Sequence, residues 1–278
     1  MARRADWLSV RARAESASVN FRPDVPSAAR VYDYLLGGKD NYPADRKAAE
    51  ALLADLPNAR VAVQWNRAFP RRAVRYMVGQ AGITQIIDVG AGLPTVGPTH
   101  EVAADLNPDA RVVYVDRDPV VLAHARDMLQ GLPNVAVIQH ELGEPAEILT
   151  DPELLSLIDF GQPVGLMYLS VLHFAPDSAD PGGTIARMLS AFPGGSHVAV
   201  SHITTDGTPA VTAAERVMDK TADRVSTRTH AEILNLVPGL DLVEPGLVWL
   251  PQWRPDPGAD MPPNVAEAYY YGMVARKP

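Results

Sequence analysis

From residue 85 onward the chain alternates short β-rich runs with helical stretches, and that alternation leaves few folds open. The runs are QIIDVG (85–90), ARVVYVD (110–116), NVAVIQH (134–140), PVGLMYLS (163–170) and SHVAVSHI (196–203). Between them lie PTHEVAADLN, DPVVLAHARDMLQGL, EPAEILTDPELLSLI and GGTIARMLSAF. Near-continuous apolar strands separated by helices need both sheet faces covered, which is the signature of a parallel sheet. Right-handed crossovers make such a chain a doubly wound, Rossmann-like α/β fold.

The end departs from the alternation. After TAAERVMDKTADRV and RTHAEILNLV, both helical in pattern, come LDLVEPGLVWL (240–250) and AYYYGMVARK (268–277) with no helix between them. They predict an antiparallel hairpin added to the mostly parallel sheet, joined by the Pro-rich PQWRPDPGADMPP (251–263). Residues 27–80 read as a helical extension, with one helix ending at NARVAVQWNRAF and another starting at Pro70, a residue that suits a first turn and breaks an interior. Residues 1–20 carry no clear pattern and are expected to form a loose arm. The domain reading is a helical cap over 1–80 on a main domain over 81–278.

Composition narrows the function. A formal charge of −8 argues against a broad nucleic-acid footprint, which needs a basic face. Arg60, Arg67, Arg71 and Arg75 would align along an unbroken helix, either as a solvated face or as a site for an anionic ligand. There is no Cys, so disulfides and thiolate metal sites are excluded and a cytoplasmic location is expected. The apolar run around 163–175 is too short to span a bilayer, and the N-terminus has no secretory apolar core.

In an open α/β sheet, ligands bind beyond the carboxyl ends of the strands. The first strand ends in DVGAGLP, where Gly90 and Gly92 allow a tight turn and close backbone approach. A third fingerprint glycine would fall at Thr95, so the dinucleotide match is incomplete. Asp116, at the tip of the second strand, can accept both hydroxyls of a ribose or cap the following turn. Asp118 and Pro119 read as a helix start. Glu141, after the third strand, can reach an adenine amino group while Leu142 packs on the ring, or it can simply open a helix. Ser170, His173 and Asp177 follow the fourth strand without the elbow motif of a hydrolase triad. His173 is a candidate general base or a structural imidazole. His197 and His202, five apart on a strand, face opposite ways, and no metal site is expected.

These residues resemble a known family. DVGAG, VVYVDRDP, the acid after the third strand and LHF beyond the fourth are similar to class I S-adenosylmethionine-dependent methyltransferases. The blocks ARVYDYLLGGKDNYPADR, NRAFPRRAVRYM and GLDLVEPGLVWLPQWRP narrow the resemblance to the bacterial S-adenosyl methyltransferase family, from about residue 27 to the end. The resemblance implies a seven-stranded sheet, S-adenosyl-L-methionine as cofactor and methyl transfer, in a family whose acceptor is generally undefined; the acidic chain with no basic groove favours a small-molecule acceptor. It places the methionine part over Asp88, Gly90, Ala91 and Gly92, the ribose on Asp116 and the adenine near Glu141 and Leu142. In the family pattern the third-strand acid is usually Asp followed by an Arg-containing turn; here Glu141 is followed by Gly143.

With the resemblance, the N-terminal block takes on a role as a lid. Gly37 and Gly38 let the backbone pass close to the cofactor, and Tyr32, Asp33, Lys39 and Asn41 supply contacts. Arg67 pairs with the methionine carboxylate, a geometry suited to a guanidinium fork. Ser170 is counted with the cofactor contacts, and Trp253 and Arg254 of 251–263 with the acceptor wall. The alternatives are a nicotinamide-dependent oxidoreductase, which Asp116 and a glycine turn would also serve, and a non-catalytic S-adenosylmethionine-binding module.

Overall fold

The computed structural model describes residues 23–93, 97–208, 210–212, 215 and 224–278. The loose arm, Thr95 and most of TAAERVMDKTADRV lie outside these residues. Helices α1 (Ala28–Leu35), α2 (Pro43–Asp55) and α3 (Ala59–Gly79) precede the sheet. Then follow β1 (Gln85–Val89), α4 (Thr99–Leu106), β2 (Arg111–Asp116), α5 (Pro119–Met128) and β3 (Val135–Gln139). After α6 (Pro145–Thr150) and α7 (Pro152–Leu157) come β4 (Gly165–Leu169), α8 (Pro181–Ser190), β5 (His197–Ile203) and α9 (His230–Leu234). The chain closes with β6 (Asp241–Leu242), β7 (Val248–Trp249) and β8 (Tyr270–Arg276).

The sheet has eight strands in the order β3-β2-β1-β4-β5-β8-β6, with β7 also on β8. Pairing is parallel from β3 through β5, and β8 runs antiparallel to β5. The predicted mixed sheet is therefore present, with one strand more than the seven expected. LDLVEPGLVWL supplies two short strands instead of one, because Pro245 has no N–H for a ladder and the Gly246 N–H turns back onto the Val243 carbonyl at 2.8 Å.

Alternate residues of the central strands serve two cores. Ile86, Val112, Met167, Ala199 and Val274 pack with Val31, Leu35, Leu56, Val63 and Val74 of the helical extension. Ile87, Val113, Leu166, Val198 and Met273 pack with Leu154, Ile185, Met188 and Ile233 on the other face. The extension thus shares one core with the sheet.

Within it, α3 runs unbroken through Pro70. The expectation of two helices fails because tertiary contacts outweigh one lost backbone bond. Phe69, Ala73, Val74 and Met77 on both sides of Pro70 are fully buried, and the Arg72 guanidinium donates to the carbonyls of Trp253 at 2.6 Å and Leu250 at 2.9 Å. Trp253 itself is buried edge-on against Phe69 at 5.2 Å, and Arg254 lies over the Tyr76 ring. The Pro-rich segment is therefore core and buttress for α3 and lines no part of the cavity described below, contrary to its expected place in the acceptor wall.

The GGKDN block winds around one carboxylate. Asp33 is buried and accepts the Asp40 N–H at 2.8 Å and the Asn41 side-chain amide at 2.9 Å. A Cβ on Gly38 would stand 2.0 Å from Asp33 Oδ1, so only glycine lets the chain pass there. Arg30 and the wholly buried Asp45 pair at 2.9 Å and lock α1 to α2.

The turn after β1 has two glycines with different duties. Both have positive φ, 70° at Gly90 and 63° at Gly92. A Cβ on Gly90 would also lie 2.2 Å from Val171 Cγ2, whereas one on Gly92 would meet no described residue within 4 Å. Gly90→Ala should therefore cost about 1–3 kcal/mol more than Gly92→Ala in chemical denaturation. Adding Val171→Ala should recover part of the Gly90→Ala loss; a strictly additive double mutant would refute the packing account.

Candidate functional site

The chain runs from β1 out to β3 and returns to β4 beside β1, so strand order reverses between β1 and β4. A cavity of about 910 Å³ opens at the carboxyl ends of these strands, where such a reversal leaves a crevice. Helices α1 and α3 and the loops after β1, β2, β3 and β4 line it.

Asp88, Gly90, Ala91 and Gly92 form one wall. The Asp88 carboxylate is buried and accepts the Thr99 hydroxyl at 2.8 Å. Burial pushes its pKa up to about 6, opposed by the Thr99 hydrogen bond and the charge of Arg67. Asp116 holds the neighbouring wall. Its Oδ2 accepts the Gly92 N–H at 2.8 Å and its Oδ1 the Asp118 N–H at 2.9 Å. Burial raises its pKa to about 6 as well, against the pull of those two N–H groups. One carboxylate thus fastens the glycine turn to the end of β2, and each oxygen keeps a second acceptor position. Pro119 stands in the first turn of α5, as expected from sequence.

Glu141 and Leu142 stand at the rim. Glu141 is exposed and faces Arg117 at 3.5 Å, while Leu142 packs against the core. Arg67 and Tyr32 reach the cavity from α3 and α1. Arg60 and Arg75 are directed elsewhere, to the Tyr34 and Leu35 carbonyls and to Asp256, so the predicted stripe is no continuous anion site.

The lid expectation needs correction. Tyr32 and Asp33 line the cavity, but Gly38, Lys39 and Asn41 do not. Asn41 is buried, giving its amide to Asp33 and the Gly38 carbonyl and accepting the Arg46 Nε–H at 2.7 Å. The hydrogen-bonding capacity of the block is spent within the block, and Lys39 is exposed.

On the β4 side Ser170 has φ 56°, an uncommon value for a side-chain-bearing residue. Its N–H reaches both the Ser201 carbonyl at 3.1 Å and the Ser201 hydroxyl at 2.9 Å. Ser201 Oγ donates to Asn66 Oδ1 at 2.6 Å, and the Asn66 amide donates to Tyr32 Oη at 2.8 Å. Ser170 Oγ pairs with Tyr270 Oη at 3.1 Å.

His173 sits in the turn Leu172–Phe174, buried, with Nδ1 lacking a partner. Burial holds its pKa well below the ordinary value, reinforced by His202 and the Arg228 cation. Arg228 is itself buried, clamping the carbonyls of Leu172 and Ala175 and the carboxylate of Asp177. Asp177 thus answers to Arg228, and Ser170 to Tyr270, which leaves no triad. Among the described residues no cluster is placed to hold a metal ion.

Thr99, Asn66 and Tyr270 are site residues that sequence reasoning missed. Thr99 opens a helix directly after the glycine turn, a position where its hydroxyl was open to notice. Nothing local marks Asn66 or Tyr270, whose partners lie far away in sequence.

The sequence profile of the family described as S-adenosyl methyltransferase matches residues 14–278. A crystal structure of a DUF574 family protein from Streptomyces avermitilis is 38% identical, covers 92% of this chain and 100% of its own, and superposes with a TM-score of 0.89. One from Thermobifida fusca, a candidate methyltransferase, is 38% identical over 91% of this chain and 96% of its own, with a TM-score of 0.87. No curated protein matches. The chain belongs to the S-adenosyl methyltransferase family and is an S-adenosyl-L-methionine-dependent methyltransferase.

Proposed function

We propose that the ends of β1, β2 and β3 form the cofactor half of the cavity and that the β4 to β8 side receives a small-molecule acceptor. The supporting observation is the joint placement of Asp88, Gly92 and Asp116. A Cβ on Gly92 would meet no described residue within 4 Å, and the buried Asp88 and half-buried Asp116 carboxylates flank it. That donor and acceptor set fits a nucleoside with an amino-acid tail. The free acceptor positions on Asp116 suit ribose hydroxyls, Glu141 and Leu142 suit the adenine, and Arg67 suits the methionine carboxylate. Asp88, Gly90, Ala91 and Gly92 would cradle the methionine part.

Bound there, S-adenosyl-L-methionine supplies a methyl group made electrophilic by its sulfonium. The chain's own task is alignment and exclusion of water. Helices α1 and α3 line the cavity, which supports a cap role for residues 23–80, the described part of the 1–80 extension. His173, the candidate general base, is kept neutral, but the same lowered pKa makes it a weak base, suited to accept a hydrogen bond from an acceptor hydroxyl. A cavity of this size on a chain of charge −8 favours a small acceptor over a nucleic acid. No helix among the described residues is long and apolar enough to cross a membrane, and the lack of Cys suits the cytoplasm.

Calorimetry with S-adenosyl-L-methionine tests the assignment. Asp116→Ala should weaken binding about 10- to 100-fold, the worth of hydrogen bonds to a charged group. Lys39→Ala should leave affinity within about twofold. Equal affinity for Asp116→Ala and the parent chain would remove the ribose role.

A pH series gives a second test. Asp88 and Asp116 take up protons near pH 6 in the folded apoprotein, against roughly 3.9 for an unfolded Asp. The folded chain therefore holds more protons between those values, and these two groups stabilise it as pH falls from about 7 to 5. Cofactor binding should move the opposite way, weakening as pH drops through 6 because the acceptor carboxylates are neutralised. Affinity that is flat from pH 7.5 to 5.5, on a chain whose melting shows it folded, would contradict the reading.

A further inference from the structure

The half of the cavity beside β8 has a chemistry of its own. Tyr270 opens β8, which runs antiparallel to β5, so its ring stands at the carboxyl edge of the parallel strands. It lies four strands from Asp116 on β2, roughly 19 Å along the sheet. Ser170 Oγ and Tyr270 Oη share one hydrogen bond at 3.1 Å. Two hydroxyls carry two protons, so one proton of the pair is unspent. Both residues line the cavity.

Among the described residues the side chains that line this end are uncharged, and the Arg228 guanidinium behind His173 is already paired with Asp177. His173, Phe174, Ile203 and Tyr269 complete this wall. His173 is neutral, and its ring meets Tyr270 edge-on at 6.2 Å with Nδ1 unpartnered. An ammonium, carboxylate or phosphate brought against this wall would be desolvated with no unpaired counter-charge among the described residues that line it. A hydroxyl on an apolar body meets what is offered, accepting the spare proton while donating to an unfilled acceptor.

The backbone supports a built site. Ser170 is held at positive φ by two bonds to Ser201, and Ser201 is fixed by Asn66. Strain of this kind persists only where the surroundings over-determine it. Its effect is to aim Oγ at Tyr270.

We infer that the Ser170–Tyr270 hydroxyl pair is the acceptor-orienting element of this methyltransferase and that the acceptor class is an uncharged, apolar molecule bearing a hydroxyl, phenols first. The inference rests on the cofactor assignment above and adds the identity of the second substrate.

The probes are para-ethylphenol, ethylbenzene, tyramine and para-hydroxyphenylacetate, one skeleton with a hydroxyl, without it, and with an added cation or anion. Binding to the full chain saturated with S-adenosylhomocysteine is read by ligand-observed saturation-transfer NMR. Para-ethylphenol should bind, the other three about tenfold more weakly or less. Tyr270→Phe should erase the preference for para-ethylphenol over ethylbenzene, and so should Ser170→Gly, which glycine's freedom at positive φ tolerates. Calorimetric affinity for S-adenosylhomocysteine should stay within about twofold in Tyr270→Phe, which also reports that it folds, and circular dichroism reports that Ser170→Gly folds. Equal or tighter binding of a charged probe, no binding of any probe, or an unchanged preference in both variants would overturn the inference. Failure of the parent chain to bind S-adenosylhomocysteine would instead overturn the cofactor assignment beneath it.

Discussion

One half-buried carboxylate, Asp116, holds the site together. It takes the Gly92 N–H on one oxygen and the Asp118 N–H on the other, tying the β1 turn to the entry of α5. Those bonds offset only part of the cost of burying a charge, which is why its pKa still rises to about 6. A carboxylate held this way is rigid and under-satisfied at once. Its spare acceptor positions are left at the cavity wall.

The N-terminal block works by the same device on the opposite wall. Asp33 gathers the Asp40 N–H and the Asn41 amide, and Asp45 gathers Arg30 and the Ser27 and Tyr42 N–H groups. Two buried acids thereby fold a short loop and two helices into one piece that seats on α5, where Asp40 faces His124 at 3.9 Å. The polar excess of GGKDN, which from sequence suggested ligand contacts, is absorbed in building this piece. Only Tyr32 and Asp33 of the predicted lid residues are left to face the cavity.

What the sequence made legible follows from the range of the physics involved. Strand and helix alternation, the Gly90–Gly92 turn, Asp116 at the tip of β2 and Pro119 opening α5 are set by periodicity and local backbone chemistry. Each lies where it was expected. Pro70 misled because the signal for a break is local, whereas the contacts that override it come from Trp253 and Leu250, about 180 residues away. Trp253 misled in the same way, since a Pro-rich setting reads as surface loop and its ring is buried under α3. Asn66, Ser201 and Tyr270 left no trace in the sequence because their chain of hydrogen bonds joins α1, α3, β5 and β8. Such a network exists only once the sheet is assembled.

The state of His173 is set from behind the cavity wall. His202 bonds the Ile203 carbonyl through Nδ1 at 2.7 Å, so that nitrogen carries the proton. Its Nε2 must then accept from Arg228, 2.8 Å away, which a protonated imidazole cannot do. Burial and this cation together bring the pKa of His202 down to about 3. A neutral His202 and a fixed guanidinium next to His173 keep a second positive charge off it. The same guanidinium pins Leu172 and Ala175 on either side, so the position and the charge of His173 share one origin in Arg228. A side chain that touches no part of the cavity thereby decides that the imidazole on its wall meets an acceptor as a neutral ring.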